Sequence, residues 1–100
     1  MKVKEMPPSF QPRERMLKFG VENLSDVDLL SIILRTGTKD ANVKEVSSSI
    51  LASVGSITNM ADVGIRELSK IKGVGNIKAI TILAAIELGK RVVNKEIEIN

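Results

Sequence analysis

A chain of 100 residues with 15 lysines and arginines against 12 aspartates and glutamates makes one small domain with a modest core, and falls short of a two-domain enzyme. It contains no cysteine and no histidine, which removes disulfides, thiolate metal sites, thiol nucleophiles and the commonest general base and metal ligand. Its two phenylalanines are too few to make a row of rings for unstacked bases, so any nucleic-acid contact would run through the backbone or the grooves.

Residues 1–11 hold Pro7 and Pro8 and read as an extended arm. They lack the apolar stretch of a secretory signal, and no later run approaches the roughly 18 apolar residues of a membrane span, so a cytoplasmic protein without membrane contact is expected. Pro12 then stands where a first helical residue would be, and PRERMLKF should form a helix ending at a left-handed Gly20 cap. Ser25 with Asp28 three residues later is a capping-box pattern that opens a second helix, with Val27, Leu30, Ile33 and Leu34 as its apolar stripe and its end near Arg35.

RTGTKDA reads as a loop. Asn42 with Glu45 opens a third helix, which Gly55 closes, and Val43, Val46, Ile50, Leu51 and Val54 share one of its faces. Residues 56–62 supply one further turn. Gly64, with Glu67 at its third position, starts the short IRELSKI helix, and a last helix runs from Asn76 to about Val92. Ile97 and Ile99, alternating with glutamate, give the only strand-like pattern. The expected core from the second half is Ile71, Val74, Ile77, Ile80, Leu83 and Ala84.

A weak internal repeat runs through these elements. Val27, Leu30, Ile33 and Gly37 fall on Ile65, Leu68, Ile71 and Gly75. After a four-residue shift, Asn42, Val43, Val46, Val54 and Gly55 fall on Asn76, Ile77, Ile80, Leu88 and Gly89. Two copies of helix, turn, helix are implied, the first with Arg35 where the second has Gly73. Charge separates the copies: residues 1–63 carry eight basic and eight acidic side chains, whereas residues 64–91 carry six basic ones against Glu67 and Glu87.

The turn KGVG lies inside that basic stretch. Gly73 and Gly75 can take positive φ at little cost, and Val74 between them can point into the core. The helix that follows has unpaired N–H groups and the positive end of its dipole at its start. A phosphate there would meet the N–H groups of Gly73, Gly75, Ile77 and Lys78 together with the Lys78 ammonium, with Lys70 and Lys72 as supporting charge. Ala79 keeps the first turn narrow where the helices cross. A plain helical hairpin with a solvated lysine is the competing interpretation.

GIRELSKIKGVGNIKA resembles a helix-hairpin-helix motif. The resemblance implies sequence-independent contact with consecutive DNA phosphates by hairpin amides, Gly73, Val74, Gly75, Ile77 and Lys78 here. It also implies, in some members, a monovalent cation held by carbonyls that would belong to Ser69, Ile71 and Val74. PRERMLKFG, LSDVDLLSIILRTGT and IKGVGNIKAITILAAIELGKR, in this order, are similar to the amino-terminal domain of the bacterial RadC family, over residues 7–91.

That resemblance implies an all-α fold of five or six short helices in a double helix-hairpin-helix bundle over residues 12–91, with residues 92–100 as a linker. It further implies a JAMM-type, zinc-dependent carboxyl-terminal domain, whose histidine ligands this chain lacks. The function expected is a non-catalytic DNA-binding module for duplex or branched DNA, associated with DNA repair. It has no catalytic or metal-ligating residue and no cofactor of its own beyond that cation. The alternative is a protein-docking or oligomerisation domain that regulates the neighbouring one.

Overall fold

The computed structural model describes residues 11–94. They form five α-helices, α1 (Pro12–Phe19), α2 (Asp26–Leu34), α3 (Val43–Val54), α4 (Ile65–Ser69) and α5 (Gly75–Val93), with 3₁₀ turns at Val21–Asn23 and Ile57–Asp62. No strand occurs among the described residues, and the fold is all-α. Most of the expected arm, most of the expected linker and the Ile97–Ile99 pattern lie outside the described residues.

Local chemistry sets the helix ends. Pro12 is the first residue of α1, and the Gly20 N–H closes that helix on the Met16 carbonyl at 2.9 Å. Gly20 has φ 87° but ψ 154°, so it breaks the helix from the extended side of positive φ and not from the left-handed helical region. The Asn42 side chain accepts from the Glu45 N–H at 2.9 Å while Glu45 accepts from the Asn42 N–H at 2.9 Å, a complete capping box at the start of α3.

At α2 only half of the expected box forms. Ser25 Oγ accepts from the Asp28 N–H at 3.1 Å, but the Asp28 carboxylate turns inward to Arg15 of α1 (3.2 Å) and Lys44 of α3 (3.1 Å). Asp28 is buried, and two cations reward it more than one exposed N–H could.

Two helical hairpins, α2–α3 and α4–α5, pack against each other around Leu30, Leu34, Val43, Val46, Ile50, Met60, Leu68, Val74, Ala79 and Ile82. Ile50 and Leu68 are fully enclosed, each worth about 1.5–3 kcal/mol of apolar burial. Between α2 and α3 the buried Ser31 Oγ donates to the Val27 carbonyl at 2.7 Å and lies 3.1 Å from Ser47 Oγ, a small polar pair that lets the two helices approach closely.

The second half of the expected core needs correction. Val74 is buried and Ile71 and Leu83 pack on the core, but Ile77 is 81% exposed, Ile80 is 55% exposed and Ala84 is exposed. The inner face of α5 is instead Ala79, Ile82 and Ile86. The same correction moves the repeat. In α3 the positions facing the core are Val43, Val46 and Ile50, so their counterparts in α5 are Ala79, Ile82 and Ile86, two residues beyond the expected alignment. Gly55 ends α3, whereas Gly89 lies inside α5. Relative to the shared buried positions, α5 therefore begins a full turn earlier than α3.

Candidate nucleic-acid interface

The extra turn of α5 is where the predicted site lies. α4 ends when the Ile71 N–H bonds the Leu68 carbonyl at 3.1 Å, and the Val74 N–H then bonds the Ile71 carbonyl at 3.0 Å. Val74 is pinned in the core, and its neighbours take positive φ, 89° at Gly73 and 65° at Gly75. The helix starts at Gly75, one residue before the expected Asn76, and no side chain caps it. The N–H groups of Gly75, Asn76 and Ile77 thus lie in a first turn for which the helix itself supplies no carbonyl. The Val74 N–H, counted among the candidate contacts, is already engaged with Ile71.

The two glycines have different surroundings. A Cβ on Gly73 would stand 3.4 Å from Thr38 Cγ2 and 3.4 Å from Val46 Cγ2, so Gly73 seats the turn against the first hairpin. A Cβ on Gly75 would meet nothing within 4 Å, so this glycine faces open space. Lys78 is half-buried beside the turn, and Lys70 and Lys72 are exposed. No ion pair engages these three lysines among the described residues. The Ile77 side chain points away from the core, which leaves its N–H in the first turn but removes it as an anchor of that turn.

Not all of the surplus charge gathers here. Lys90 donates to the Ala61 carbonyl at 2.7 Å and Arg91 pairs with Glu87 at 3.0 Å, both near the far end of α5. Arg66, Lys70, Lys72 and Lys78 remain on α4, the turn and the first residues of α5.

The first hairpin has the same plan but is closed. Arg35 takes φ 71° and ψ −50°, and the Thr36 N–H reaches the Leu34 carbonyl at 2.8 Å, which makes a γ-turn at a non-glycine residue. Positive φ at Arg35 matches that of Gly73, its expected counterpart. A Cβ on Gly37 would fall 2.2 Å from the Ala41 carbonyl oxygen, so the loop lies directly on the start of α3. There the Asn42–Glu45 box already engages the Glu45 N–H of the first turn and the Asn42 N–H just before it. Thr38 completes the loop, its hydroxyl accepting from the Asp40 and Ala41 N–H groups at 3.2 Å each. RTGT was visible as a motif, but its part in holding the second turn through Thr38 required the packed structure.

A paired-hairpin all-α domain, in which the second helix of one hairpin is capped by a side chain and that of the other is not, is the class of protein that these features define. The family described as UPF0758 N-terminal matches residues 3–80, and the chain belongs to that family, an amino-terminal RadC-like domain. It is 47% identical over 92 residues to the UPF0758 protein YsxA of Bacillus subtilis, covering 92% of this chain and 40% of that protein. It is 45% identical to a UPF0758 protein of Desulforamulus reducens, covering 89% of this chain and 39% of the relative. The chain therefore spans about 40% of the length of these relatives. No solved structure matches it.

Proposed function

We propose that this domain binds DNA through the phosphate backbone without reading bases, and that it does so at the start of α5. One observation carries the reading: of two similar helix starts, α3 is closed by its own capping box and loop, while α5 has no side-chain cap, two positive-φ glycines and a Lys78 with no ion pair among the described residues. Open N–H groups at the positive end of a helix dipole suit an anion. Nothing at this turn presents the donor and acceptor pattern needed to read base edges, so the binding would be independent of sequence.

The role is that of a non-catalytic, cytoplasmic module that brings a longer RadC-like protein to duplex or branched DNA. Among the described residues no helix is long and apolar enough to cross a membrane, and no cluster of acidic side chains could hold a metal ion. Ser69, Ile71 and Val74 would offer neutral carbonyls to a monovalent cation. The Ile71 carbonyl already accepts the Val74 N–H but keeps a second lone pair, and an uncharged donor set of this kind suits a weakly held cation. Zinc chemistry and repair would reside with the remainder of the longer protein.

Salt-dependent titration of the 100-residue chain against duplex, junction and single-stranded DNA tests the reading. Affinity should fall steeply with salt, favour duplex or junction over single strands, and survive scrambling of the duplex sequence. A change of about 1–3 kcal/mol for one base pair, the scale of direct readout, would refute it.

A further inference from the structure

The stretches PRER and RTGT, both outside the open turn, meet at one cleft. Pro12 and Arg13 from α1, Ser31, Ile32 and Arg35 from the end of α2, and Val43 from the start of α3 line a space of about 100 Å³, to which α4 and α5 contribute nothing. Both arginines are exposed, and neither guanidinium has an ion pair among the described residues. The buried acid of α2, Asp28, is already engaged by Arg15 and Lys44. Arg35 is also strained. Its φ of 71° and ψ of −50° make the rarer hand of γ-turn, at a point where the second hairpin has a glycine, Gly73, with φ 89°. Glycine would take this conformation at little cost, so the turn itself does not call for an arginine.

We infer that this cleft binds a phosphate group between the Arg13 and Arg35 guanidiniums. Two like charges lining one small cleft repel each other, and neither forms an ion pair that would favour the fold. An oxyanion between them replaces that repulsion with two attractions, and the planar forks of arginine match its oxygens in pairs. Pro12, Ile32 and Val43 give the cleft an apolar wall, which displaces competing water and strengthens the attraction. Backbone strain persists where a side chain must be held for a ligand, and here it aims Arg35 at the cleft that Arg13 shares. A backbone phosphate of DNA and a free phosphate ion offer the same chemistry. In either case the cleft works separately from the start of α5, since no residue of that helix lines it.

Arginine side-chain N–H resonances of the isotope-labelled chain, followed while inorganic phosphate replaces chloride at constant ionic strength, test the site. Arg13 and Arg35 should move along one saturable curve with a midpoint of roughly 1–10 mM, while Arg66 barely moves. Arg35→Gly should melt a few degrees above the native chain, because the strain is relieved, yet bind phosphate at least about tenfold more weakly. Arg13→Gln should lose a similar factor. Lys78→Glu should leave the phosphate response of both arginines unchanged, which separates this cleft from the open turn. A duplex added as a second probe identifies the source. Movement of the same two resonances by DNA, reversed by excess phosphate, supports the cleft and assigns it to the backbone; a response to phosphate alone supports it and assigns it to the free ion. Three results overturn the inference: no saturable shift with either probe, native phosphate affinity in Arg35→Gly, or a lower melting temperature in that variant, which would show that the arginine serves the fold.

Discussion

Lys78 is the residue on which the DNA reading turns most sharply. Lys78→Glu should leave stability unchanged or slightly higher, since an acidic group near a helix start gains about 0.3–1 kcal/mol from the dipole. DNA binding should nevertheless be abolished, with the salt slope of any residual binding reduced by about one counterion. Lys39→Glu, in the exposed loop of the closed hairpin, is the matched control; equal losses from the two variants in an anisotropy titration would mean that the glycine turn is only a turn. Gly75→Ala gives an independent measure. Its methyl meets no atom within 4 Å, so the stability cost is the strain of φ 65°, about 1–2 kcal/mol, while the same methyl stands where a phosphate must come. Full affinity in a folded Gly75→Ala chain would remove this glycine from the site. The roles of these residue types could be read from KGVG, but the division between them could not. Both glycines look alike in sequence, and only the Thr38 and Val46 side chains that a Cβ on Gly73 would meet show that one faces inward.

Among the elements, α1, α2 and α3 are tied together by one carboxylate. Burial pushes the Asp28 carboxyl up, but Lys44, Ser25 and Arg15 together bring it below its ordinary value. A folded value below the unfolded one adds stability that is complete above the unfolded pKa of about 3.9 and is lost as pH falls through the lowered value. Thermal melts should therefore show the native chain losing stability below about pH 4, with a shallower acid loss in Asp28→Asn. At neutral pH that variant should cost about 2 kcal/mol, less than a fully buried pair because Arg15 and Lys44 are each 31% exposed. A melt of Asp28→Asn that matches the native chain at both pH 3 and pH 7 would refute this role. Caps such as Pro12, Asn42 and Gly64 were legible because their partners lie within four residues. Asp28 was misread because its partners lie 13 and 16 residues away in sequence. The phase of α5 was illegible for a different reason: from Ile77 to Leu88 apolar residues occur on every side of the helix, so periodicity could not select the face that α2 and α4 would cover.

Across the whole molecule, the two hairpins share a plan and differ in one turn of helix, and that turn holds most of the proposed function. The general architecture followed from local signals repeated twice. The openness of the second turn did not, since it depends on where α5 starts relative to residues buried by the other hairpin. Because α5 has to be a stable rod for this arrangement, its one internal glycine is a weak point. Gly89→Ala, with nothing within 4 Å of the added methyl, should stabilise the domain by about 0.5–1 kcal/mol and raise its melting temperature by a few degrees. A lower melting temperature would show that Gly89 accommodates something besides solvent. From Gly75 to Val93 the rod measures about 28 Å, at 1.5 Å and about 100° per residue. It acts as a surveyor's staff, fixing at its far end both a reach and a compass bearing relative to the open turn. Two residues inserted within it would swing that bearing almost to the opposite quarter, whereas four would nearly restore it and lengthen the reach by about 6 Å.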